Sequence, residues 1–487
     1  MGNGLENVIN RTKNIIKNAE QTVRGLAYSA AISLAILGVN DGIEQAKAQP
    51  EYNSLPQSAA QETTTASTAS TSELKADLNG DYVVNFKDLA VLADQWLATE
   101  GDRKVIPVCD CQELSEPNAI YVLQNSIAGD EENCITIKAN NITLDLNGHV
   151  IGGNEDSTKD NCIFNSGYDQ TTIKNGIIND TYDTHIYLNN GQGHVLNNLT
   201  IGKASSNNPN SDHGIFLESV TNSTISNIDI ENFWTKPFHL KGVNDSEIEN
   251  IWTSNNRFER FYIEDCHNNN FTNLTIDRGG IEEGEGIYLE SSSGNIFDGI
   301  KMVDSNSDAY LTKGIEMISS SYNTLQNMTI ENCGNDCLYL ENSSNNKISD
   351  TIITNNVFPF SDISLFSSSI NNTLLNVSYN ASQETVAEGS SLIRKWSYAA
   401  NVIDDSNSPI SDARVWARDK NNALEFMVKT TETGDTPGVY LTDYINSGGE
   451  IEGHTPYTIT AEKGTMGDAH IYEPNGFNLE DGFTLSE

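Results

Sequence analysis

Short runs that alternate apolar and polar residues recur along residues 105–385. One register is carried by Ile135, Ile163, Ile186, Ile215, Phe238, Phe261, Ile287, Ile315, Leu338 and Ile363, each followed two residues later by another residue of the same run. The steps are 23 to 29 residues, most often 23. A second register advances with it: Asn147, Asn175, Asn198, Asn227, Asn250, Asn273, Asp298, Asn327, Asp350 and Asn376. Runs this short with period two are strands rather than helices. A strand that repeats at fixed spacing cannot bury its apolar face alone, so successive copies must stack. The pattern predicts a parallel β-solenoid of about ten coils over residues 105–385, a rod of about 45 Å at about 4.8 Å per rung. The asparagine register is expected to point inward and to bond from coil to coil, since buried polar groups need partners.

The flanks read differently. Residues 25–39 (GLAYSAAISLAILGV) are apolar, follow Arg11, Lys13, Lys17 and Arg24, and precede Ala46-Lys47-Ala48. That order predicts a secretory signal peptide over 1–48. Residues 49–72 form a Ser/Thr-rich linker. In residues 73–98, Asp77, Asn79, Asp81, Asn85 and Asp88 fall at positions 1, 3, 5, 9 and 12 of a calcium loop, with the carbonyl of Val83 at position 7. A helix with Leu89, Leu92, Ala93 and Trp96 on one face follows. Residues 396–487 carry alternating strands separated by turn clusters and predict an Ig-like β-sandwich.

Asp and Glu total 68 against 28 Lys and Arg, a net charge of −40, which argues against a nucleic-acid partner. Seven cysteines in an exported chain predict disulfides, with at least one thiol left over. Cys134 and Cys162 share one lattice position on adjacent coils and form the first candidate pair. Cys134 with Cys109 or Cys111 competes, Cys333 with Cys337 is a further candidate, and Cys266 is the candidate free thiol.

Along each first-register strand the residue between the two inward ones faces out. One outward column is therefore Tyr187, Phe216, His239, Tyr262, Tyr288, Glu316 and Tyr339. A second, two residues on, is Asn189, Glu218, Lys241, Glu264, Glu290, Ile318 and Glu341. Aromatic rings beside carboxylates suit sugar rings and their hydroxyls. Strand preference alone also places Tyr and Phe here, so a glycan-contacting face and a decorated structural rod both remain open. The carboxylates favour a neutral glycan. Glu264, Glu290 and Asp336 are candidate catalytic carboxylates. Arg260, Lys241 and Lys313 are the basic residues beside the same strands, and His213 and His239 lie one coil apart.

The repeat, with its opening CDCQELSEPNAIYVLQNSI and CITIKANNITLDLNGHVIGG, resembles right-handed parallel β-helix proteins of the NosD-like, pectate-lyase-like and sugar-hydrolysis type. The resemblance implies an all-β, right-handed parallel β-helix with a small α calcium-loop module before it. Residues 77–88 resemble one repeat of a dockerin, which implies calcium and a cohesin-like partner. Tyr82 stands where glycine is usual, and a second repeat is absent. The C-terminal segment resembles a carboxypeptidase-regulatory-like domain. Together these imply a secreted or cell-surface protein that binds a polysaccharide or surface glycan. The alternative is a glycoside hydrolase or polysaccharide lyase on the same face.

Overall fold

The computed structural model describes residues 103–486, apart from 130–132, 154–160, 180–183, 203–212, 234, 255, 257–260, 278–284, 304–312, 355, 357–359 and 475–478. The signal segment, the linker and the calcium-loop residues Asp77, Asn79, Asp81, Val83, Asn85 and Asp88 lie outside the described residues. Everything described belongs to one compact unit, residues 92–487.

Two parallel ladders make the rod. One is a twelve-stranded sheet running from Gln112–Leu114 to Glu384–Val386. It contains all ten strands of the first register and one more at each end, so the ladder is two rungs longer than the repeat predicts. The outer rungs escape the pattern because Glu384 stands where the preceding rung has Ile363. Within a rung the inward pair is fully buried: Ile186 and Leu188, Ile215 and Leu217, Phe261 and Ile263. The second, longer sheet supplies eight-residue strands such as Val195–Gly202, Thr224–Glu231 and Glu247–Ser254, whose inward residues meet the first set.

Each eight-residue strand bends at a middle asparagine, or at Asp350 in Lys347–Thr354, and here the expected inward column is corrected. Asn198, Asn227, Asn250 and Asn273 all have φ 55 and are exposed. Asparagine tolerates this left-handed conformation better than other residues with a Cβ. Register pairing skips it, passing from Asn197↔Ser226 to Leu199↔Ile228. The side chains then ladder along the outside: Asn198 Nδ2 donates to Asn175 Oδ1 at 3.0 Å and Asn273 Nδ2 to Asn250 Oδ1 at 2.6 Å.

The buried polar ladder lies elsewhere, in columns the sequence reading passed over. Asn269, Asn295, Asn323, Asn346 and Asn372 are at most 1% exposed. Each accepts, through Oδ1, the backbone N–H of the residue one rung before it, as in Asn269 N to Asn295 at 3.0 Å and Asn323 N to Asn346 at 2.8 Å. Their amides donate to carbonyls further back, such as Asn295 Nδ2 to Cys266 O at 2.9 Å. Three residues earlier a parallel column of Cys266, Ser292, Ser320, Ser343 and Ser369 does the same. The free thiol of Cys266 thereby has a structural place. It accepts the N–H of Val243 at 3.3 Å and donates to Glu264 O at 3.2 Å.

The fourteen-residue strand Ser391–Asp404 is both the last rung of the long sheet and the first strand of a C-terminal β unit. There it pairs antiparallel with Val439–Ser447 and parallel with Leu479–Leu485. A four-stranded sheet supplies further strands of this unit, which has its own apolar cluster around Val402, Val415, Leu441, Ile459 and Phe483. This unit closes the end of the solenoid. Glu384, at an inward lattice position, accepts the hydroxyls of Tyr379 and Tyr444 and the amide of Asn446. Arg394 lies over the rings of Tyr379, Trp396 and Tyr444 and pairs with Asp443 at 3.6 Å. A carboxylate that would be costly in the core is met by three polar partners in this closure.

The cysteine expectation is also corrected. Cys134 bonds Cys111, with Cα atoms 4.4 Å apart, and Cys162 is a free, fully buried thiol. Both partners sit one rung from Cys134, so spacing alone does not choose between them. Cys333 bonds Cys337.

Replacing Asn295 by alanine strands the N–H of Asn269 and the carbonyl of Cys266 in the dry interior. The unfolding free energy should fall by about 3 kcal/mol. Asn198→Gly removes an exposed ladder side chain from a conformation glycine adopts freely, and should change stability by less than about 1 kcal/mol. Chemical denaturation of the two variants beside the parent checks the contrast.

Candidate functional site

The outward face of the twelve-stranded sheet carries the densest set of ionisable and aromatic groups. Three columns run along it. The first two are the expected ones. The third stands two residues before the first inward residue of a rung and holds Thr184, His213, Lys236, Glu285, Lys313 and Asp336. Residues 203–212, 257–260, 278–284 and 304–312 enter the chain immediately before four of these strands and lie outside the described residues, Arg260 among them.

The aromatic column is real, and its geometry departs from the expectation. Rings stack in two runs, Tyr187 on Phe216 at 4.8 Å and 2° with Phe216 on His239 at 4.4 Å and 13°, and Tyr262 on Tyr288 at 4.9 Å and 12°, while His239 meets Tyr262 edge-on at 88°. Rungs repeat at about the thickness of a ring stack, so the faces satisfy each other. Lys236 Nζ covers the Tyr262 ring at 3.3 Å and Lys313 Nζ the Tyr339 ring at 4.2 Å. The tyrosines offer edges and hydroxyls to the outside, rather than flat platforms for a sugar.

The hydroxyls meet the carboxylate column. Tyr187 donates to Glu218 at 2.6 Å, Tyr262 to Glu290 at 3.2 Å and Tyr339 to Glu341 at 3.0 Å. Burial and the neighbouring carboxylates push the Tyr288 and Tyr339 hydroxyls up to about 12 and those of Tyr187 and Tyr262 higher still. All four are therefore proton donors at neutral pH.

Glu264 and Glu290 are register partners on adjacent rungs. Their surroundings differ. Glu264 pairs with Lys241 at 3.3 Å, and Glu290 accepts from Tyr262. Asp336 is not brought to them. It lies two rungs beyond Glu290's strand, and its Oδ1 accepts the N–H of Ser361 at 2.9 Å. Glu316 is buried against Lys313 in an ion pair.

His213 and His239 lie on adjacent rungs at different lattice positions, His213 opposite Lys236 and His239 opposite Phe216. The structure joins them across the diagonal between rungs: His239 Nδ1 lies 3.0 Å from His213 Nε2, and the rings stack at 4.9 Å. His239 is 7% exposed, and its Nε2 makes no hydrogen bond, standing 4.0 Å from Glu264 Oε2. Burial, then Lys236, lowers His213 to about 4. Burial, then His213, Lys236 and Lys241, lowers His239 to about 2. Both rings are neutral at pH 7, and one proton is shared between them. The only signal in the sequence was their separation by about one repeat, since diagonal reach depends on rotamers.

A model of the family "Periplasmic copper-binding protein (NosD)" matches residues 196–407. No curated protein matches the chain. Similar solved structures include the DFA-IIIase of Arthrobacter chlorophenolicus A6 in complex with GF2, at 9% identity and TM-score 0.41, covering 62% of this chain and 94% of that one. The A-module of a mannuronan C-5 epimerase from Azotobacter vinelandii is 14% identical, with TM-score 0.33, covering 62% and 86%. The Dettilon tailspike protein is 12% identical, with TM-score 0.37, covering 77% and 74%. Copper asks for clustered nitrogen or sulfur ligands. Among the described residues no group of three or more His, Cys, Asp or Glu is placed to hold a metal ion, and on this face His213 and His239 meet as a pair. Among those residues no helix is long and apolar enough to cross a membrane.

The imidazole pair predicts an acid limit. The unfolded chain takes up protons near the ordinary value of 6.5, while the folded pair resists until about 4 and below. The stabilisation is whole above pH 6.5 and drains as pH falls toward 4. The urea midpoint should drop between pH 7 and 4.5, and the His213→Gln, His239→Gln double variant should drop measurably less. Equal drops would show that the pair does not govern this range.

Proposed function

We propose that this is an extracytoplasmic β-helix protein that binds a neutral glycan along the face from Tyr187 to Glu341. The observation that carries the reading is the repeated tyrosine–carboxylate pair on half-buried rungs. Each pair fixes a carboxylate whose remaining lone pairs accept sugar hydroxyls, and charge-assisted bonds of this kind are the stronger ones. Recognition would be by hydrogen bonds to ring edges and carboxylates, because the ring faces are already stacked. The carboxylates of this face, on a chain of net charge −40, disfavour a polyanion. The export signal over 1–48 and the periplasmic family description support the location. The carboxypeptidase-regulatory-like reading of residues 396–487 is retained as that of an accessory module.

A second reading rests on Glu264 and Glu290. The backbones of register neighbours on parallel strands stand about 4.8 Å apart, a spacing from which two side chains can reach the roughly 5–5.5 Å carboxyl separation of retaining glycosidases. In that case Glu264, beside Lys241, is the nucleophile and Glu290 the proton donor.

The two readings part in one experiment. The purified chain is passed over a panel of insoluble neutral and acidic polysaccharides, with new reducing ends measured in the flow-through. Binding predicts retention on a neutral polymer, and the Tyr262→Phe, Tyr339→Phe variant should bind about tenfold more weakly, a loss of about 1.4 kcal/mol. Turnover that Glu290→Gln abolishes would replace binding with hydrolysis as the main function. Retention of acidic polymers alone would overturn the neutral-glycan proposal.

Calcium in the loop Asp77, Asn79, Asp81, Val83, Asn85 and Asp88, with a cohesin-like partner, belongs to the same proposal. Titration calorimetry should detect one calcium ion, and Asp81→Ala should remove it. No calcium heat with the parent chain would discard the module.

A further inference from the structure

Three cysteines occupy one column at the N-terminal end of the twelve-stranded sheet. Gln112 pairs with Ile135, and Ile135 with Ile163. Cys111, Cys134 and Cys162 each immediately precede one of these residues, so they hold the same lattice position on three successive rungs. The bond joins the first two. The third is a free thiol, fully buried, on the other side of Cys134. The next rung continues the column with an imidazole: Ile163 pairs with Ile186, which sets His185, also fully buried, beside Cys162.

We propose that this column is a thiol–disulfide exchange site, in which the bond between Cys111 and Cys134 moves one rung inward to join Cys134 and Cys162. Three facts carry it. Neighbouring positions stand about 4.8 Å apart, within the Cα range a disulfide spans. Exchange requires an attacking sulfur opposite the leaving one, and a ladder axis lines up three equivalent side chains in that order. A thiol beside an imidazole is the arrangement that activates a sulfur nucleophile.

The step balances without an outside oxidant. Cys162 gives its proton to His185, and its thiolate attacks Sγ of Cys134. The Cys134–Cys162 bond forms as the Cys134–Cys111 bond breaks. Cys111 leaves as a thiolate and takes a proton from water, and His185 returns its own to solvent. Burial holds the Cys162 thiol well above its ordinary value, so exchange is slow and quickens as pH rises. Its consequence is mechanical. The three-residue rung Gln112–Leu114 is stapled before exchange and held by its ladder hydrogen bonds and the burial of Leu114 afterwards. The freed, half-buried Cys111 then stands two residues from the exposed thiol of Cys109.

The test uses the full oxidised chain, alkylated without denaturant at pH 8 over time and mapped by peptide mass spectrometry. Before exchange the alkylating agent reaches Cys109 alone. The expected result is a slow gain of label on Cys111, matched by a peptide linking Cys134 to Cys162. Cys162→Ser should abolish that gain, Cys109→Ser should preserve it, and His185→Asn should slow it several-fold. Circular dichroism confirms that each variant is folded. The proposal is overturned if Cys111 stays unlabelled in the folded parent. It is equally overturned if Cys111 is labelled as fast in Cys162→Ser, because the thiol would then be freed by another route.

Discussion

Parallel stacking of identical rungs is the constraint on which everything else rests. A strand of four to six residues buries two apolar side chains only when another rung lies above and below it. Once the rungs are in register, like side chains meet like along the axis. The same rule therefore governs the leucine and isoleucine core, the ring stacks, the asparagine ladders and the cysteine column. It also dictates what the interior must supply. Each turn turns backbone N–H groups inward, and the buried serine and asparagine columns accept them rung after rung. The solenoid is held together by repetition of one small solution, and its ends are where that solution stops working.

At the C-terminal end the chain handles this by changing partners. One continuous strand, Ser391–Asp404, leaves the parallel ladder and enters antiparallel pairing with Val439–Ser447. The carboxylate of Glu384 at the last inward position finds tyrosine hydroxyls and an amide from that new neighbour. At the N-terminal end a disulfide ties the first rung of the twelve-stranded sheet to the second. One terminal rung is held by a covalent bond and the other by polar contacts.

The outward face follows from the rule as well. Stacking brings the rings so close that they take up each other's faces, which shifts recognition from the ring planes to hydroxyls and carboxylates. It places Glu264 beside Glu290 and leaves Asp336 rungs away. It also lets His213 and His239 meet diagonally in a spot dry enough to keep both neutral.

Periodicity was enough to determine the strands, their parallel order, the two buried residues per rung and the two outward columns, because period and burial are both written in one dimension. It turned the asparagine register inward, where the structure has it exposed. Asn198 and Asn295 are the same residue type at similar spacing, and only the folded backbone decides that one caps a bend outside while the other accepts an N–H within. Lattice position likewise gave Cys134 two equal neighbours, and only the folded chain chose Cys111. The pairing of His213 with His239 was decided by side-chain reach between rungs, and the closure around Glu384 by a strand from another unit. A sequence records which residues recur. Contacts across the repeat depend on rotamers and on partners far along the chain, and those exist only once the rungs have stacked.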